Sequence, residues 1–246
     1  MESIAGGTLA ADRGRPLVAP RVQRARLFYP GLALAMFAVV FVGFAPTYYL
    51  KGVFGSRPLP LLFHVHGAAF TAWMLLLVAQ TALVASGRTS LHRRLGVAGG
   101  ALAAAMMVLA WLMAVGMARR AGTDDASLRF VIVPVATILV FPLLVGAALV
   151  WRRFPATHKR LMIIATAELI SAGVGRLPGL GAFGPLGFFG GTDLVIIALL
   201  IHDRATMGRF HSATIWGGVF LVASQGLRVV IAGTDAWLSV TRWIAS

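Results

Sequence analysis

The chain has 246 residues, 59% of them hydrophobic and only 12% charged, with a net charge of +14 and a mean hydropathy of +0.85. So few polar residues cannot cover the surface of a soluble domain, and the lack of cysteine excludes disulfides, thiolate-bound metal, iron–sulfur clusters and covalently attached c-type haem. The basic residues, nearly all arginine, flank apolar runs, which is where topology-setting charges sit and not how a nucleic-acid surface is built.

Residues 1–28 are studded with arginine and have no apolar core, so they read as a disordered basic cytoplasmic arm and not as a secretory signal. Seven apolar runs follow, at about 31–50, 61–86, 93–118, 129–151, 159–176, 186–202 and 211–232. Each approaches or exceeds the ~20 residues a helix needs to cross a bilayer. Helix is required because an open sheet would leave backbone groups unpaired in lipid. The expected fold is therefore all-α, a polytopic transmembrane bundle of about seven spans over residues 29–233. Residues 234–246, with Trp237 and Trp243, read as a short interfacial segment.

Fourteen Lys and Arg residues flank one side of these spans and seven the other, which predicts a cytoplasmic N-terminus and a periplasmic or extracellular C-terminus. The preference for Arg over Lys, with the Ala and Gly content, suggests a GC-rich bacterial genome and hence a bacterial inner membrane. Spans 2–3, 4–5 and 6–7 each form a hairpin with a short basic turn, "SGRTSLHRRLG", "WRRFPATHKRLM" and "HDRATMGRFHSA". Three hairpins plus one extra helix describe the chain, and His92, His158 and His211 hold equivalent places in them. In the third span Gly96, Gly100 and Ala104 recur at four-residue steps, a spacing that lets helix backbones approach. Pro134 and Pro142 predict bends in the fourth.

An ionisable group inside a span costs ~2.5–3.5 kcal/mol on insertion scales, so each needs a partner or a purpose. Counting ~1.5 Å per residue from the basic ends puts Glu168 and Asp193 ~14–15 Å up, near mid-membrane. Arg228 comes out at ~25 Å and Arg176 at ~27 Å, with Ser224 and Gln225 just below Arg228. An outward-opening hollow shared by these groups is the expectation, with Glu168, Asp193 and Gln225 as its proton or ion-pair members. The Gly/Pro-rich "RLPGLGAFGPLGFFGGTD" (176–193) predicts irregular backbone dipping into the membrane and a half-helix starting near Gly191.

His64 and His66, at ~30–33 Å, lie about 200° apart around a helix and make a poor chelating pair. His64 shares its face with Gly67, Ala68 and Thr71. His66 lines up with Trp73 and Gln80 at steps of seven, which makes it the stronger site residue. His92, His158 and His211 read either as headgroup-level anchors or as a set from which two could ligate haem or metal; His64 completes the metal candidates. Met106, Met107, Met113 and Met117 read as packing.

The stretch "FHVHGAAFTAWMLLLVAQTALVASGRTSLHRRLG" resembles a group of bacterial multi-pass membrane proteins of no established activity, through a pattern carried here by His64, His66, Gly67, Trp73, Gln80, His92, Arg93, Leu95 and Gly96. "HKRLM", "VGRLP" and "HDRATMGRFH" extend the resemblance over spans 2 to 7, implying a shared fold. A looser similarity is to membrane b-type cytochromes, which implies histidines gripping haem between hairpin helices.

Three functions follow as expectations. The first is a membrane redox protein binding haem b or quinone, with His66, Trp73, Gln80, Arg176 and Arg228 as the cofactor-binding residues. The second is a small proton-coupled transporter or channel using Glu168 and Asp193. The third is an intramembrane zinc hydrolase built from His66, Asp193 and Glu168. No phosphate loop, dinucleotide fingerprint, His-Glu-x-x-His or nucleophile elbow is present, so no catalytic residue is assigned. The lipid bilayer is the expected partner, with a small-molecule ligand and no nucleic acid.

Overall fold

The computed structural model describes residues 20–246, with side chains from Arg26 onward. Residues 1–19 of the expected arm lie outside the described residues. Helix α1 (Pro20–Phe44) begins before the arm was expected to end. Pro46 offers no amide to continue α1, and the chain makes one π-helical turn over Ala45–Tyr49.

The remaining helices are α2 (Leu61–Ala85), α3 (Thr89–Ala121), α4 (Asp125–Phe130), α5 (Ile132–Val150), α6 (Pro155–Val174), α7 (Gly184–Met207), α8 (Ser212–Ala232) and α9 (Asp235–Ala245). The described residues are all-α. Six segments are long and apolar enough to cross a membrane: Arg26–Tyr49, Leu61–Ala85, Thr89–Ala121, Asp125–Val150, Leu180–Met207 and Ser212–Ala232. The protein is thus an integral membrane helical bundle.

The predicted fifth span differs from these six, and its surroundings explain why. Helix α6 carries Lys159, Arg160 and Glu168, too much charge for a lipid-facing span. It is buried along nearly its whole length, from Arg160 to Val174. Helices α1, α5, α7 and α8 all pack against it. A helix that is apolar on every side, here by Ile163, Ile164, Ala165, Ala167, Leu169 and Ile170, belongs in an interior.

The three basic turns, 86–88, 151–154 and 208–210, gather at one end of the bundle. Phe28 at the start of α1 stacks on His202 near the end of α7, 3.8 Å between ring centres. Lys159 at the start of α6 sits over the Tyr29 ring. This end is the basic end below. At the other end α3, with 33 residues, outruns the membrane (~50 Å against ~30 Å). Its overhang packs Ala114 and Ala118 against Leu128 and Val131 and against Leu238 of α9. Salt bridges Arg129–Asp235 (3.0 Å) and Arg242–Asp125 (2.9 Å) fasten α9 there.

The fourth span breaks at Val131, between α4 and α5; Pro134 then falls in the first turn of α5, where no backbone hydrogen bond is lost, and Pro142 lies within α5. One local expectation is corrected. Helix α7 begins at Gly184, not near Gly191, so Asp193 lies inside regular helix and no half-helix points at it.

Small residues set the α1–α6 crossing. A Cβ on Gly43 would fall on the Gly173 carbonyl oxygen and within 2.9 Å of its Cα, and one on Gly173 would stand 3.0 Å from the Val40 Cα. Backbone meets backbone there, so no side chain can yield. Gly43→Ala should therefore destabilise the protein by about 1–3 kcal/mol, the usual scale for overpacking. Gly31→Ala, on the same helix with nothing within 4 Å of the added carbon, should not. Thermal unfolding of the two variants in detergent, followed by size-exclusion monodispersity, checks this.

Candidate functional site

Two polar clusters stand out, one inside the bundle and one at its basic end. The inner cluster forms because α6 turns Glu168 toward α5 and α8. Glu168 is 1% exposed and Arg228 of α8 is 2% exposed, with Arg228 Nη1 lying 2.8 Å from Glu168 Oε1. Thr137 of α5 donates its hydroxyl to the same carboxylate oxygen at 2.7 Å. Arg228 Nη2 donates to Ser224 Oγ one turn earlier, at 3.2 Å, and the guanidinium carbon lies 5.8 Å from the centre of the Phe189 ring of α7. Arg228 Nε has no hydrogen-bond partner.

Asp193 of α7 does not join this pair. Its neighbour is Gln225 of α8, yet Asp193 Oδ1 and Gln225 Nε2 are both buried without a partner in hydrogen-bond geometry. The cluster as ionised therefore holds one cation and two anions. The expected outward-opening hollow is also missing at the pair, which is closed on all sides. Two surface hollows on α7 and α8, around Ile196, Leu200, Phe210, Thr214 and Gly218, are apolar.

At the basic end the rings of His92 (α3) and His158 (α6) stand 6.2 Å apart, centre to centre, at 80° to each other. His158 Nδ1 lies 2.8 Å from the carbonyl oxygen of Ala148 on α5. As donor to that oxygen it leaves Nε2 as the lone-pair nitrogen. His92 Nδ1 is buried and unpartnered. Two imidazoles from different helices thus meet at one depth.

Beside them lies a second buried ion pair. Arg160 donates from Nε to Asp203 Oδ1 at 2.9 Å and also from Nη2, while Nη1 binds the Ala156 carbonyl at 2.7 Å. Asp203 Oδ2 accepts from Thr214 Oγ1 (2.6 Å) and from the His211 backbone amide (3.1 Å). Both ionic groups are essentially buried, 2% and 0% exposed. His211 is the N-cap of α8 and accepts from the Ala213 amide through Nδ1, at 3.1 Å. Burial, then the Arg160 charge, holds the His211 pKa below the ordinary histidine value.

Of the other predicted site residues, Gln80 lies beside His92, and the rest are dispersed. His64 and His66 sit at the end of the bundle opposite His92 and His158. The His64 carbonyl accepts from Tyr48, and the His66 ring leans on Phe70 with its Nδ1 unpartnered. Trp73 is a core residue, donating to Thr166 at 3.2 Å and meeting Phe141 edge to face. Gln80 lies against Gly96, its Oε1 unpartnered. Arg176 closes the end of α6, bonded to the Ala172 carbonyl and stacked over Phe44 at 4.3 Å. Of the four histidines named as metal candidates, His92 and His158 come together, His211 turns to Asp203, and His64 stands apart. Among the described residues no three His, Asp or Glu side chains are grouped to hold a metal ion, so the zinc arrangement of His66, Asp193 and Glu168 does not form.

The Arg160–Asp203 pair escaped the sequence reading, which took Arg160 for a topology-setting charge. Its signal was present: "HKRLM" and "HDRATM" repeat at the ends of adjacent hairpins. Thr137 carried no signal, since a hydroxyl in a span usually bonds its own helix. Comparison with protein-family models, with curated proteins and with solved structures gives no match to this chain.

Two outcomes follow. Arg228→Met strands Glu168 and should cost about 3–5 kcal/mol, whereas the double variant Glu168→Gln/Arg228→Met should recover most of that loss; unfolding in detergent measures both. His211 is held neutral in the fold, so the unfolded chain binds its proton more readily. Its contribution is complete above the unfolded value of ~6.5 and is lost as pH falls below it. His211→Asn, which preserves a capping side chain, should flatten the acid side of the stability–pH curve.

Proposed function

We propose that this integral membrane protein is a redox protein whose metal centre, haem iron in the first instance, is held by His92 and His158 at the basic end of the bundle. The observation that carries this reading is the 6.2 Å separation of the two rings. Two imidazoles whose centres stand this close could hold one metal ion between them, since each metal–imidazole bond is ~2.0–2.1 Å long. The Ala148 carbonyl on His158 Nδ1 is the kind of outer contact that fixes the tautomer and orientation of a ligating histidine.

The surroundings support the same reading. Neutral nitrogen donors with no thiolate or carboxylate would suit a cofactor that exchanges electrons. Arg88, Arg93 and Arg94 on one side and Arg152 and Arg153 on the other flank the two histidines in sequence, the right charge for propionates. His158 and Ala148 orient one ligand, and α3 supplies the other. This moves the assignment from His66, Arg176 and Arg228 to the other end of the molecule. It also makes the basic end, on the charge rule, the cytoplasmic one.

An absorbance spectrum and metal analysis of the detergent-purified protein test the proposal. A Soret band is expected in the wild type, in His66→Ala and in His211→Asn, and its loss in His92→Ala and His158→Ala. A colourless protein free of haem and metal, prepared from haem-sufficient cells, would overturn it.

A further inference from the structure

Asp193 is the one carboxyl of the inner cluster for which the fold provides no cation, and it is also the less buried of the two. It lies nine residues beyond the start of α7 at Gly184, ~14 Å along the axis and well inside a ~30 Å hydrocarbon layer. The elements packed on α7 here are α6, α8 and the 3-10 turn Leu180–Phe183. The turn has no ionisable residue, α8 has only Arg228, and α6 at this depth has only Glu168. Arg228 is already committed to Glu168 at 2.8 Å, and Thr137 binds the same oxygen.

Glu168 thus has a cation and a hydroxyl, and is closed. Asp193 has a neutral amide beside it, one buried oxygen without a partner, and a side chain only partly covered by protein. An anion left so in hydrocarbon is among the costliest arrangements a membrane protein can hold. One positive charge is missing, and a proton supplies it without further ligands. A bound metal cation needs a cage of oxygens, whereas here the only neighbouring side-chain donor is a single amide. We propose that Asp193, and not Glu168, is a proton-binding carboxyl of this bundle, reached from the bilayer side of α7. It stands apart from the redox reading, since it rests on none of the histidines.

An apolar carbodiimide that dissolves in the bilayer tests this, because the O–H of a protonated carboxyl adds across its C=N bond to give an O-acylisourea, whose acyl group then migrates to nitrogen as a stable N-acylurea. The full chain is reconstituted in phosphatidylcholine vesicles, treated with dicyclohexylcarbodiimide, and mapped by peptide mass spectrometry. The expected label is on Asp193. Its yield should fall about tenfold per pH unit once the acid ionises, and it should be unchanged when sodium replaces choline in the buffer. Glu168→Gln should retain the label and Asp193→Asn lose it. Asp193→Glu, which keeps the carboxyl, should still be labelled and serves as the check should the Asn variant misfold. Label on Glu168, no label on Asp193 in monodisperse wild-type protein, or protection by sodium at fixed pH would each overturn the proposal.

Discussion

A helix bearing three charges cannot cross lipid alone, and the architecture follows from that constraint. Helix α6 carries Lys159 at its exposed basic end and takes Arg160 and Glu168 into the interior, so it needs a sheath. Helices α1, α5, α7 and α8 provide one, and two of them carry the opposite charges. Asp203 comes from α7 for Arg160, and Arg228 comes from α8 for Glu168. Each pair takes a hydroxyl as well, from Thr214 and Thr137, which offsets part of the desolvation, while Arg228 Nε stays unpartnered. The Gly43–Gly173 contact serves the same end by letting α1 lie directly on α6. The outer helices can then be apolar, since the polar business of the bundle is conducted on one central element.

The sequence was informative about height and much less so about azimuth. Apolar runs located the helices, and axial counting put Glu168 and Asp193 at one depth but left Arg228 ~10 Å above them, a gap that the long arginine side chain closes by reaching Glu168. Counting cannot say which face of a helix turns to which neighbour. Glu168 and Asp193, equal in depth, therefore end with different partners. The same limit hid His92 and His158: each reads as a rim residue until α3 and α6 are found to bring them together. His211 looked equivalent to both by position in its hairpin. It caps α8 instead, because Asp203, eight residues earlier, takes its amide.

The Gly/Pro-rich segment before Asp193 misled for a related reason. Glycine is a poor helix former in water, but in a membrane no solvent competes for the backbone and small residues gain contacts with neighbouring helices. Gly187 and Gly191 lie within α7, against Leu180 and Val174, where a side chain would collide. What looked like a break is a close-packed first half of a helix. Only the part up to Phe183 is irregular, with Gly179 and Gly184 at positive φ.

The two clusters are tied by geometry that neither possesses alone. His158 and Glu168 are ten residues apart on α6, ~15 Å along its axis, with the Arg160–Asp203 pair beside the first and Asp193 beyond the second. An electron at the histidine end and a proton on α7 would therefore act on the same rigid helix from two sides. Helix α7 is bound to that helix at both levels, through Asp203 to Arg160 and through the Thr192 hydroxyl to the Ala167 carbonyl. A change of charge at either cluster acts close to a buried ion pair, where it is weakly screened. The ion pair and the hydrogen bond that α6 and α7 share oppose any shift of one helix without the other.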